Sequence, residues 1–142
     1  MTQEPIPKVE QAARTAASVA FVDNPAVLRQ PERYRVMTID IPKTLDSWRR
    51  SLYACEYLTP EGLPRPRDEL PAQEQARFDA AFHALKQGAA LERPVLGIGM
   101  LDNVEIGTGR AVFLALASRG DRAMEAHIPR SQEKDFLPFV SV

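Results

Sequence analysis

A single cysteine, Cys55, stands in the whole chain. One thiol closes no internal disulfide and builds no cysteine-rich zinc site. Its neighbours Leu52 and Leu58 lead to the expectation of a small buried hydrophobe rather than a reactive thiol. Histidine is nearly as scarce, with only His83 and His127. Lysine is limited to Lys8, Lys43, Lys86 and Lys134, so most of the 18 basic residues are Arg. A large charge of either sign is missing too, because 19 acidic residues leave a net −1. That excludes a basic coat for nucleic acid, so any such contact has to come from a local patch. Long apolar runs are absent. The longest, Ala111–Ala117, falls far short of the roughly 20 residues that cross a bilayer. The first residues carry Glu4, Pro5 and Pro7 where a secretory leader places a basic and then an apolar run. A cytoplasmic protein with no membrane insertion is expected.

What is present suits one globular domain. The chain has 142 residues, with 44% apolar and 26% charged, near ordinary values. Residues 1–33 read as a tail and a helix, the helix over Val9–Val22 and stopped by Asn24-Pro25. Residues 34–142 read as the domain. Tyr34–Ile41 alternates, with Met37, Ile39 and Ile41 on one face, and predicts a half-buried strand ended by Pro42. Thr44–Leu58 carries Leu45, Trp48, Leu52 and Cys55 at helical spacing. A proline-rich loop, Thr59–Arg67, precedes a helix with Phe78, Phe82 and Leu85 on one stripe, closed by Gly88. His83, next to Phe82 on that helix, reads as a surface or hydrogen-bond-satisfied histidine. Pro94–Met100 and Val104–Gly107 predict strands joined by an Asp102-Asn103 turn. Arg110–Arg119 predicts a helix closed by Gly120, and Ala123–Ile128 a last strand. Ser131 is placed to cap a final short helix through Phe139. The expected class is α/β or α+β, a small mixed β-sheet surrounded by helices.

The segment Gly107-Thr108-Gly109-Arg110 carries the chemistry. Two glycines allow a sharp turn and a close backbone approach. A helix starts at once, so its free N–H groups and dipole favour an anion. Thr108 adds a hydroxyl and Arg110 a charged fork. An anion at a helix end gains about 0.3–1 kcal/mol, or about 2 when partly buried, and micromolar binding takes about 8. Other residues therefore have to contribute. The same spacing also serves a plain strand–helix connection, and it matches neither the dinucleotide fingerprint nor the P-loop.

The element order from Pro94 onward, with Thr108-Gly109-Arg110-Ala111-Val112 at the helix start, then Arg119-Gly120 and Ala123–Pro129, resembles the ParB/sulfiredoxin superfamily. The likeness covers roughly the last 50 residues, with Tyr34–Ile41 similar to that superfamily's opening strand. Its members grip nucleotide phosphates at this turn, CTP in partition proteins and ATP in sulfiredoxin. Some are nucleases, and some stand-alone plasmid members interfere with conjugative DNA transfer. The resemblance implies phosphate-binding roles for Gly107, Thr108, Gly109, Arg110 and Arg130. It implies catalytic roles for Glu105, Arg110 and His127, with ATP or another nucleoside triphosphate and Mg²⁺ as cofactors. Thr108 stands where the superfamily's usual motif has Asp, and Ala111-Val112 where it has a His/Arg pair. Each charge-assisted hydrogen bond so lost is worth about 1.5–3 kcal/mol. Sulfiredoxin's cysteine falls inside the turn, where this chain has Arg110.

Asp102 and Glu105 flank the turn and are the candidate metal ligands, although Asp102-Asn103 is also an ordinary turn pair. Arg33, Arg35, Arg49 and Arg50 are the candidate DNA contacts, with Trp48 beside the last two. Three functions are expected in competition. The first is a nucleotide- or DNA-linked protein that hydrolyses a nucleoside triphosphate or DNA, in plasmid maintenance or inhibition of conjugation. The second is a non-catalytic module that binds a protein of a DNA-transfer or partition apparatus. The third binds DNA without hydrolysis.

Overall fold

A computed structural model describes residues 19–141. The architecture is mixed α+β. The strands are β1 (Phe21–Val22), β2 (Tyr34–Asp40), β3 (Leu91–Glu92), β4 (Val95–Ile98), β5 (Val104–Thr108) and β6 (Ala123–Pro129). A four-stranded sheet runs in the order β2-β6-β4-β5, and a two-stranded sheet pairs β1 with β3. The helices are α1 (Ile41–Trp48), α2 (Ala72–Gln87) and α3 (Arg110–Arg119). β2–β6 and β4–β5 are antiparallel, and β4–β6 is parallel. The expected mixed sheet with helices is therefore present.

α3 is the core helix. Phe113, Leu114, Ala115 and Leu116 are all fully buried, and Gly120 ends the helix in the left-handed region. Trp48 from α1 stacks on Tyr57 and meets Phe113 edge-on, with centroids 5.7 and 5.6 Å apart. Ile39, Leu96, Ile106, Met124, Ala126 and Ile128 supply the sheet's share of this core. α2 follows its predicted course, ending at Gly88 with φ +70°. His83 is exposed, as expected.

Several expectations give way. The helix expected over Val9–Val22 falls largely outside the described residues, and its last two residues are strand. Ala20 and Val22 carbonyls accept the N–H groups of Leu91 and Arg93 at 2.9 and 3.0 Å. Ile41 leaves the strand, because Asp40 caps a helix there by accepting the Lys43 N–H, with Pro42 in the first turn. The helix expected over Thr44–Leu58 stops at Trp48. The Ser51 hydroxyl accepts the Tyr53 N–H, an arrangement that competes with helix continuation. Leu52 and Cys55 are consequently exposed rather than buried. After β6 the chain forms two 3₁₀ segments, Arg130–Gln132 and Lys134–Phe139. Pro129, not Ser131, sits at the first cap, and Pro138 inside the second denies it an α-helical bond.

Candidate functional site

The turn after β5 is tighter than its glycines suggest. Gly107 and Thr108 belong to the strand, and Gly109 alone makes the reversal. Val95 pairs with Thr108 and Leu96 with Ile106, so Gly107 is the extra residue of a β-bulge. Gly109 has φ +89°, and a Cβ there would fall 2.7 Å from the Pro94 Cα. Both its conformation and its neighbour therefore require glycine. The first hydrogen bond of α3 runs from the Phe113 N–H to the Gly109 carbonyl, and no side chain caps the helix. The N–H groups of Arg110, Ala111 and Val112 have no backbone partner in the helix.

These residues open on a cleft of about 440 Å³. Asn24, Glu74, Arg77 and Glu92 line it together with residues 107–112. Arg110 lies over the Tyr57 ring, its Cζ 5.4 Å from the centroid. The aromatic chain Tyr57–Trp48–Phe113 thereby ties the guanidinium's position to the core. Among the described residues Arg110 has no carboxylate within ion-pair distance. Burial raises the Tyr57 hydroxyl above its ordinary pKa. Arg110 opposes that shift, and Glu74 adds to it. Ala111 is 5% exposed and packs in the core. A charge there would be buried without a partner.

The other predicted residues fall elsewhere. His127 is buried on β6, and its Nε2 accepts the Asn24 N–H at 3.1 Å. Register puts Val36, His127, Val95 and Thr108 in one row across the sheet. Two strand spacings then separate His127 from Thr108, about 10 Å. Burial lowers the His127 pKa, Asp23 opposes that shift, and Arg93 reinforces it. His127 is thus a neutral acceptor that holds Asn24 at the cleft wall. Glu105 accepts the Ser51 hydroxyl at 2.8 Å through Oε1 and the Asn103 amide at 3.0 Å through Oε2. Asp102 sits in the exposed hairpin turn with φ +59°. Among the described residues no three His, Cys, Asp or Glu side chains converge as a metal site.

Arg130 donates to the Glu32 carbonyl at 3.0 Å, away from the cleft. Of the DNA candidates, Arg33 bonds Gln30, Arg35 pairs with Glu133 at 3.3 Å, and Arg49 pairs with Asp46 at 3.0 Å. Arg50 is exposed and has no ion pair among the described residues. The structure therefore gathers Gly107, Thr108, Gly109 and Arg110 in one place and leaves the remaining predicted residues apart. It adds Tyr57, Glu74 and Asn24, which sequence reasoning missed. Only Glu74 carried a signal, because it continues the stripe of Phe78 and Phe82 at four-residue spacing, a charge on an apolar face.

Comparison of the chain with protein-family models, with curated proteins and with solved structures finds no match.

Proposed function

We propose that this protein binds a small phosphate-bearing ligand of the nucleotide class at the start of α3. The observation that carries the reading is one cleft shared by an uncapped helix N-terminus and Arg110, which has no ion-pair partner among the described residues. Three backbone donors and a guanidinium fork match the oxygens of one phosphate group. The likeness of this segment to the ParB/sulfiredoxin turn supports the same reading. Hydrolysis does not enter it. Glu105 bonds to Ser51 and Asn103, and His127 accepts a backbone N–H, so neither is free as a base at the cleft.

The test is a thermal-shift series with nucleotides and inorganic phosphate, with and without Mg²⁺, on wild type and Arg110→Ala. A ligand at about a hundred times its Kd stabilises by about 2.7 kcal/mol, easily read as a shift in Tm. The expected result is a shift in wild type that Arg110→Ala loses. Equal shifts in both proteins, or none in either, would defeat the proposal.

A second reading, a protein-interaction module, rests on a different observation. Leu52, Tyr53, Met100 and Leu101 are all more than half exposed. Leu52 and Tyr53 follow Ser51, whose hydroxyl bonds Glu105 in β5, and Met100 and Leu101 lie in the turn that leads into β5. Apolar side chains so grouped mark contact surfaces. A stable co-purifying partner lost on Tyr53→Ser and Met100→Ser would favour this reading, and an unchanged partner profile would count against it.

A further inference from the structure

His127 Nε2 sits between a hydrogen-bond donor and a carboxylate. The Asn24 N–H reaches it at 3.1 Å, and Asp23 Oδ1 lies 3.9 Å from the same atom. An imidazole nitrogen accepts only while it carries no proton, and it donates once it has one. The neutral ring therefore suits Asn24, and the charged ring suits Asp23. The two partners are consecutive in the chain, so exchanging one for the other moves the segment they share.

That segment forms part of the cleft wall. Asn24 is 4% exposed and lines the cleft beside Glu92. It makes two further bonds. Its Nδ2 donates to the Arg93 carbonyl at 3.0 Å, and its Oδ1 accepts the Ala26 N–H at 2.9 Å. Of the three, only the bond to His127 reaches the four-stranded sheet.

Two charged residues face the ring. Burial resists a proton on it, Asp23 invites one, and Arg93 resists one. Arg93 also holds Asp23 Oδ1 at 2.6 Å and Glu125 Oε1 at 2.8 Å, so the carboxylate nearest the ring is fixed by a second cation. In register the ring's neighbours are Val36 on β2 and Val95 on β4, which do not titrate.

We propose that His127 is a proton-operated latch on the cleft wall. When Nε2 takes a proton from solvent, the ring leaves the Asn24 N–H for the Asp23 carboxylate. Asn24 then loses its tie to the sheet, and the wall it forms loosens. Which ligand the cleft takes does not enter.

The test is NMR on the full chain from about pH 8 to about pH 5, following the His127 ring and the Asn24 amide. The Asn24 amide should shift with the same midpoint as the ring. Its hydrogen exchange, corrected for the intrinsic effect of pH, should speed up at least about tenfold over that step, the effect of one lost hydrogen bond. The Leu116 amide, in the buried helix α3, should keep its protection. In Asp23→Asn the charged ring loses its carboxylate, so its midpoint should fall. An Asn24 amide that does not shift while the ring titrates overturns the latch. So does an equal loss of protection at Leu116, which means that the whole domain opens. A midpoint in Asp23→Asn at or above that of wild type overturns the exchange of partners, as does a ring that takes no proton before the chain unfolds.

Discussion

Gly109→Ala separates two reasons for a glycine that usually act together. The residue has φ +89°, where a side chain costs about 1–2 kcal/mol from backbone sterics alone. Gly120 has φ +94° and nothing within 4 Å of its would-be Cβ, so Gly120→Ala pays only that conformational term. At Gly109 the new Cβ would stand 2.7 Å from the Pro94 Cα, and ordinary contact starts at 3.4 Å, so Pro94 has to retreat by 3.4 − 2.7, or 0.7 Å. Pro94 is not free to do so, because its carbonyl accepts the His127 N–H at 2.8 Å beside the parallel β4–β6 pairing. Overpacking of this kind adds about 1–3 kcal/mol, for a total of about 2–5. Urea unfolding of both variants, with m held common, gives the two free energies. Gly109→Ala should exceed Gly120→Ala by at least about 1 kcal/mol. Agreement of the two within the error of extrapolation would refute the claim that Pro94, just before β4, presses on the turn.

His127 should make stability depend on pH. The unfolded imidazole titrates near about 6.5, and burial lowers the folded one below that. Between the two values the unfolded chain binds a proton that the native state refuses. The contribution is therefore complete above about 6.5 and is lost as the pH falls below it. The urea midpoint should drop from about pH 7.5 to about 5.5 more in wild type than in His127→Gln, and equal drops would contradict the assignment. Cys55 is exposed, so one thiol per folded chain should react with a disulfide dye before any denaturant is added. Reaction only after unfolding would restore the buried reading.

The parts of the fold that local chemistry decides were readable. Phe113–Leu116 with Gly120 behind them could only be a core helix with a left-handed stop, and the strands either side follow from β-branched and apolar residues between turn formers. The misreadings occur where a neighbouring cap or a distant partner overrides a local pattern. Ile41 continued the alternation of Ile39, but Asp40 and Pro42 start a helix there, and a cap outweighs one more step of a strand. Leu52 and Cys55 kept helical spacing with Trp48, but the Ser51 hydroxyl bonds Glu105, 54 residues away, and turns the chain. β1 is two residues long and exists only because Leu91–Glu92 lies beside it. At the site, Gly109 and Arg110 were legible from the glycine–helix sequence. Gly107 was misplaced because a bulge is a property of pairing, visible only when Val95 and Leu96 are set opposite β5.

The balance of charge at the cleft bears on the kind of ligand proposed for it. A DNA strand carries one negative charge per phosphate, and binding grows with the number of phosphates neutralised. Such a ligand needs unpaired cations in a row. Here Arg35 and Arg49 already pair with Glu133 and Asp46, and Arg33 bonds Gln30. At the cleft, Glu74 and Glu92 balance Arg77 and Arg110, so the site offers direction rather than net charge. A long polyanion would meet those two carboxylates as well as the cations, whereas a single phosphate group needs only Arg110 and the first amides of α3. The proposed ligand is therefore a small phosphate compound rather than a strand of DNA, and DNA binding that falls steeply with added salt would contradict it.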